Sequence, residues 1–131
     1  MAIEFIVSTV IKASPEEIYN AWLSSNGHTK MTGGSANVTA EIGAEFEAWD
    51  GYIKGRNLEL EPNKRIVQSW RTAEFSDEEE DSMLEITFKK KRNGTEVTIR
   101  HTHLPPHGRQ YEQGWKENYF QPMKEYFEKE P

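Results

Sequence analysis

The stretch His107–Pro131, HGRQYEQGWKENYFQPMKEYFEKEP, decides the fold. Its apolar and aromatic side chains recur mostly every three or four residues, and they are Tyr111, Trp115, Tyr119, Met123, Tyr126 and Phe127. This is the period of one face of an α-helix, so the pattern predicts one long C-terminal helix. Pro122 lacks a backbone donor and crowds the preceding turn, and it therefore predicts a bend.

Upstream of this helix, most of the chain alternates apolar and polar residues, as β-strands do. The predicted strands are 3–12, 37–41, 45–49, 52–61, 65–72, 82–91 and 95–103. Ser14, Pro15 and Glu17 form a capping-box pattern that predicts a helix after the first strand, and 24–30 predicts a further short helical turn. Asp50-Gly51 and Asn93-Gly94 predict hairpins, the latter most strongly because its tight turn needs positive φ.

The order of these elements predicts an α+β fold in one domain, 1–131. Strands with one apolar face need an element of matching length to cover them, and the C-terminal helix supplies it. A series of antiparallel strands curls because each is twisted. We therefore expect a curved antiparallel sheet of six or seven strands around the helix, with an elongated space between them for a ligand or a large core.

Composition restricts the class of function. The formal net charge is −6 and the pI about 5.3, which argues against a general nucleic-acid binder, because such proteins carry a basic footprint. The chain has no cysteine, which suits a reducing cytosol, and it shows no signal-peptide pattern at Met1. No window approaches the roughly 18 apolar residues of a membrane helix. We expect a cytoplasmic protein with no membrane or nucleic-acid partner and no cofactor.

Several short motifs occur along the chain. They are Ala13-Ser14-Pro15-Glu16-Glu17-Ile18-Tyr19, Ala21-Trp22, Gly43-Ala44-Glu45-Phe46, Asp50-Gly51-Tyr52-Ile53-Lys54-Gly55, Leu60-Glu61-Pro62, Ile66-Val67-Gln68-Ser69-Trp70-Arg71, Gly94-Thr95 and Gln113-Gly114-Trp115. In this order and spacing they resemble the activator of heat-shock protein 90 ATPase homologue family. The family belongs to the START-like (SRPBCC) superfamily, which shares the birch-pollen-allergen (Bet v 1) helix-grip fold. The stretch from Gln113 to Phe127 is most similar to the C-terminal domain of the eukaryotic co-chaperone.

The resemblance implies a helix-grip fold and a non-enzymatic binding module with a heat-shock protein 90-type chaperone or a small apolar molecule as partner. The co-chaperone has an additional N-terminal domain, whereas here the START-like domain is expected to begin at Met1. An alternative within the superfamily is a small enzyme of the cyclase or hydrolase type. A third is an interaction protein with a filled core. The oligomeric state stays open.

The candidate ligand-cavity residues are those expected on the facing surfaces of sheet and helix. They are Trp70, Phe88, Val97, Ile99, His101, His103, Trp115 and Tyr119. If Val97 and Ile99 face inward, the strand period of two places His101 and His103 on the same face. With His107 they could also form a metal site, but no acidic or cysteine ligand neighbours them, so neither a metal nor a catalytic residue is predicted.

Overall fold

A computed structural model describes residues 3–129, in which one antiparallel sheet of six strands curves around helices. The strands are β1 (Ile3–Ile11), β2 (Glu45–Ala48), β3 (Ile53–Glu61), β4 (Arg65–Thr72), β5 (Ser82–Lys91) and β6 (Gly94–Leu104). Their order across the sheet is β1-β6-β5-β4-β3-β2. The predicted α+β class and six strands are confirmed. The predicted strand 37–41 is wrong, because Asn37 alone bridges to Glu47.

Alternation along the strands sends one set of side chains inward. In β5 and β6 the inward set includes Phe88, Val97 and Ile99, all buried. Arg100 lies on the opposite face and is exposed, as the period of two requires. These inward side chains and the helices form one core.

Two short helices follow β1, namely α1 (Pro15–Trp22) and α2 (Ser25–Thr32). The predicted capping box is present. The Glu17 amide donates to Ser14 Oγ at 3.1 Å, and the Ser14 amide donates to Glu17 Oε1 at 3.0 Å. Helix α2 is longer than predicted and ends at Gly33, whose φ of 87° is readily adopted only by glycine.

The C-terminal helical stretch consists of four consecutive segments. They are a 3₁₀ turn (Pro106–Arg109), α3 (Gln110–Trp115), a π-helical turn (Lys116–Phe120) and α4 (Gln121–Lys129). The Gln121 amide donates to Lys116 O, five residues back, directly before Pro122. Such wide turns are a known cause of helix kinks. The predicted end at Pro131 lies outside the described residues.

The wide turn adds one residue to the buried face. The predicted stripe members Tyr111, Trp115, Tyr119, Met123 and Phe127 are buried, and Phe120 joins them. A regular α-helix places residue 120 about 100° away from residue 119. The extra residue in the π turn lets Tyr119 and Phe120 both reach the core.

The β5–β6 hairpin turns through Arg92 and Asn93, one residue earlier than predicted, and Lys91 pairs with Gly94. Gly94 has φ 145°. A Cβ there would lie 2.1 Å from Ile11 O, so the end of β1 passes too close for any other residue. None of the helices in the described part of the chain is long and apolar enough to cross a membrane.

Candidate functional site

A cleft of about 330 Å³ opens between the sheet and the C-terminal helical stretch. Its walls carry six aromatic side chains, one aliphatic side chain and two small or polar residues. The lining consists of Trp49, Tyr52, Ile53, Trp70, Tyr111, Gly114, Trp115, Asn118 and Tyr119. Ligand sites commonly combine such apolar walls with few polar groups. This cleft is therefore the candidate site.

Each wall comes from a different element. Ile53 begins β3 and Trp70 lies on β4, and both face inward from the sheet. Tyr111, Trp115 and Tyr119 are spaced by four, so the helical period places them on one face opposite those strands. The rings of Trp70 and Trp115 meet with centroids 5.7 Å apart.

The third wall is the connection Trp49–Tyr52 between β2 and β3. Trp49, Asp50 and Gly51 have φ of 54°, 58° and 87°, three successive residues in the left-handed region. The Trp49 ring rests against Gly34, where an added Cβ would lie 2.3 Å from it. Glycine at position 34 thus lets the indole of Trp49 lie close to the backbone. The ring centroids of Trp49 and Tyr119 are 6.4 Å apart.

A buried chain of hydrogen bonds supports the sheet-side wall. Trp115 Nε1 donates to His101 Nδ1 at 3.0 Å, and His101 Nε2 lies 2.8 Å from Ser82 Oγ. Ser82 Oγ in turn donates to the Trp70 carbonyl at 2.7 Å. An indole nitrogen can only donate, so Nδ1 must accept, and the neutral ring carries its proton on Nε2. These hydrogen bonds link Trp70 and Trp115, two of the three tryptophans that line the cleft, to one imidazole.

His101 is held in the neutral state. It is fully buried, and this burial lowers the pKa of its imidazole from 6.5 to about 3. Both ring nitrogens are occupied, one as acceptor and one as donor. The ring is therefore a rigid support behind the cleft, with no lone pair directed toward a ligand.

A second buried imidazole supports the helix side. His28 Nδ1 lies 2.9 Å from the Trp22 carbonyl, and its Nε2 lies 2.8 Å from Tyr119 Oη. Since the carbonyl can only accept, Nδ1 donates and Nε2 accepts from the phenol. Burial lowers the pKa of His28 and raises the pKa of Tyr119. Sequence reasoning missed His28, because a lone histidine in a short polar helix carries no signal of this partner.

The rim of the cleft is more polar. Tyr52 Oη donates to Glu74, and burial together with this bond raises the pKa of the Tyr52 phenol. Tyr111 Oη lies 2.7 Å from Thr72 Oγ1. Within residues 3–129, no buried side-chain nitrogen or oxygen lacks a hydrogen-bond partner. The buried polar groups thus pair among themselves, and the aromatic rings form most of the recognition surface.

The structure brings together three of the eight residues predicted to line a cavity. Trp70, Trp115 and Tyr119 line the cleft, and His101 lies behind Trp70 and Trp115. The remaining aliphatic and aromatic candidates, Phe88, Val97 and Ile99, pack in the core away from the cleft. The other aromatic and aliphatic lining residues, Trp49, Tyr52, Ile53 and Tyr111, were not predicted to line the cleft. For Trp49 and Tyr52 the reason is that a hairpin connection gives no sequence sign that it folds over a helix.

The prediction that His103 faces inward is wrong. His103 has φ 60°, and Ile3 pairs with Leu104 while Phe5 pairs with His101, so β6 carries an extra residue here. Such a bulge breaks the period of two and leaves His103 exposed. His107 instead lies 3.1 Å from Glu79 Oε1. In the described residues no group of three or more His, Cys, Asp or Glu side chains could hold a metal ion.

An apolar cleft between a curved antiparallel sheet and a long C-terminal helical stretch defines a START-like domain of the helix-grip fold. The sequence profile described as Activator of Hsp90 ATPase homolog 1-like protein matches residues 12–128, and the chain belongs to this family. The predicted family and fold are both confirmed.

Relatives agree with this assignment. The human activator of 90 kDa heat shock protein ATPase homolog 1 is 30% identical over 115 residues, covering 87% of this chain and 34% of the relative. The Dictyostelium discoideum homolog is 31% identical over 118 residues, covering 88% and 30%. A crystal structure of an HSP90 activator from Plasmodium falciparum superposes with a TM-score of 0.80 at 22% identity, covering 95% and 94%. The chain spans about a third of the length of these curated relatives.

Proposed function

We propose that this START-like domain is a non-enzymatic binding module that takes a small, flat apolar ligand into the cleft. The observation that carries the proposal is an open space of about 330 Å³ walled by six aromatic rings. Protein cores are normally packed to the density of organic crystals, so a space of this size beside a complete core favours an occupant. Aromatic walls favour a flat, π-rich molecule by offset and edge contacts.

The superfamily alternative is a small enzyme of the cyclase or hydrolase type that uses His101 or His103 as a proton carrier. A general base needs a free lone pair within hydrogen-bond reach of its substrate. Both ring nitrogens of His101 are hydrogen-bonded, to Trp115 and Ser82, and His103 is exposed and does not line the cleft. These contacts favour the binding module.

Titration with prodan, a neutral dimethylaminonaphthalene ketone, tests the ligand proposal. Three of the four tryptophans, Trp49, Trp70 and Trp115, line the cleft, so a bound dye should quench their emission by energy transfer. We expect saturable quenching at one dye per chain, with a Kd in the micromolar range, which corresponds to about −8 kcal/mol. Transfer that rises linearly with dye and never saturates would contradict a defined site.

We also propose that the domain docks on a heat-shock protein 90-type chaperone and that it does so in the cytoplasm. The supporting observation is the match to a human relative named as an activator of the chaperone's ATPase, over 87% of this chain. The loop 76–81 offers a contact for a basic surface, because five of its six residues are acidic. Asp77, Glu78 and Glu80 are exposed there.

Adding the domain to the chaperone from the same cell should raise its ATPase rate modestly, and less so as salt increases. The triple variant Asp77→Asn, Glu78→Gln, Glu80→Gln should lose most of this effect. A matched control, Glu16→Gln, Glu41→Gln, Glu47→Gln, removes the same charge from other exposed sites and should retain it. Equal loss in both variants would assign the effect to net charge, and no change in rate with the wild-type domain would refute docking.

A further inference from the structure

The two edges of the sheet are built differently. At one edge, β2 has four residues, turns two exposed glutamates (Glu45 and Glu47) outward and is bridged by Asn37. At the other edge, β1 has nine residues and pairs only with β6 in the described part of the chain. Short, charged or covered edges prevent strands from pairing with other chains. The β2 edge has this protection, whereas β1 is nine residues long and carries no charged residue from Phe5 to Ile11.

The exposed face of β1 carries apolar side chains at positions where an edge strand commonly has charged ones. Ile6 is 63% exposed and Val10 is 43% exposed, with Ser8 between them. From Phe5 to Ile11 the strand pairs regularly with β6, without bulge or proline, so its free edge runs straight over seven residues. A long, uncharged, regular edge is a template for one more strand.

We propose that β1 pairs antiparallel with β1 of a second copy of this chain, around a two-fold axis at Ser8. In this register Ile6 lies opposite Val10 of the second copy, and Ser8 lies opposite its counterpart. Glu4 lies opposite Lys12, the residue directly after β1. By symmetry each unlike pair occurs twice, so the exposed face forms two apolar contacts flanked by two ion pairs.

Other registers lose this complementarity. Sliding the second strand by one pair in either direction places Ile6 opposite Ser8 or opposite Lys12. Parallel pairing places Glu4 beside Glu4 and does not close a symmetric dimer. Only the register centred on Ser8 matches both the apolar and the charged pairs, and this self-complementarity identifies a second copy as the occupant.

The pairing leaves the cleft open, because the cleft lies beside β3 and β4 at the far side of the sheet. Lys12 Nζ also lies 3.8 Å from Glu128 within the same chain. Both side chains are at least half exposed, so this contact is weak and can give way to Glu4 of a second copy.

Cysteine cross-linking tests the register directly, because the natural chain has no cysteine. Ser8→Cys places two thiols opposite each other, at the Cα separation that a disulfide accepts, and should form a covalent dimer under mild oxidation. Val10→Cys is the matched control on the same strand. Its two thiols would be about 13 Å apart along the strands, and it should stay monomeric on denaturing gels.

Charge reversal tests the ion pairs by sedimentation equilibrium. Glu4→Lys and Lys12→Glu, taken singly, place like charges opposite each other at both ends and should each weaken the wild-type dimer about tenfold. The double variant restores opposite pairs and should recover wild-type affinity, although it also lacks the Lys12–Glu128 contact.

Several results would overturn the proposal. They are a wild-type chain that stays monomeric at about millimolar concentration, cross-linking of Val10→Cys as readily as Ser8→Cys, and a double variant no tighter than the singles. Circular dichroism on every variant separates loss of pairing from loss of fold. A folded, monomeric wild type that still binds prodan refutes the dimer while leaving the proposed ligand function intact.

Discussion

Acidification from about pH 6.5 to about pH 4.5 should lower the free energy of unfolding by about 2 kcal/mol through His101 alone. Burial lowers its pKa from 6.5 to about 3 in the folded state. Between those values the unfolded chain binds a proton that the folded chain does not, so stability falls as pH falls. The limiting slope is about 1.4 kcal/mol per pH unit. His28, whose pKa is also lowered, adds to the loss.

Urea unfolding across this pH range measures the slope. His101→Gln keeps an acceptor for Trp115 and a donor for Ser82 but does not titrate, so it should flatten the slope by about 1.4 kcal/mol per pH unit. His103→Gln, on the exposed bulge, is the control and should leave the slope unchanged. The same pH dependence in wild type and His101→Gln would show that the imidazole is not held neutral.

Filling the cleft from the helix should abolish most ligand binding. A Cβ added at Gly114 would meet only Asn118 Nδ2, at 3.8 Å, so a larger side chain can extend into the cleft without disturbing the core. Gly114→Phe should weaken prodan binding roughly fiftyfold, because the phenyl ring displaces about 90 Å² of apolar contact at about 25 cal/mol per Å². The titration by tryptophan quenching measures this loss.

Gly114→Ala is the matched control. Its single methyl group occupies little of the cleft, so prodan affinity should stay within about threefold. Alanine is also preferred over glycine inside a helix by about 1 kcal/mol, and the melting temperature should therefore rise. Undiminished affinity in Gly114→Phe, with an intact circular dichroism spectrum, would place the ligand elsewhere.

The parts of the fold governed by periodicity were predictable from the sequence. The aromatic stripe from Tyr111 to Phe127 has the period of a helix, and β4 and β5 have the period of a strand. Each period places apolar side chains on one face, which is then buried away from water. The capping box at Ser14 and Glu17 was equally readable, since both hydrogen bonds join residues three apart. Local patterns of this kind need no knowledge of the tertiary structure.

The misses all depend on contacts between residues distant in sequence. The bulge at His103 reverses a face that strict alternation assigns inward. His28 supports the cleft through its hydrogen bond to Tyr119, which is 91 residues away, and no neighbouring residue in the sequence predicts that partner. The connection from Trp49 to Tyr52 forms a wall of the cleft because it lies opposite the C-terminal helical stretch, which is distant in sequence. The position of the cleft could be expected, but only half of its aromatic lining could be named.

If the space between sheet and helix is a ligand site, prodan must lie within it. Intermolecular nuclear Overhauser effects between prodan and the protein test it most directly. We expect contacts from the dye to the indole protons of Trp49, Trp70 and Trp115, and to Ile53 on the facing strand. Contacts confined to exposed apolar side chains outside the cleft, such as Ile6, Ile42 or Leu58, would contradict it.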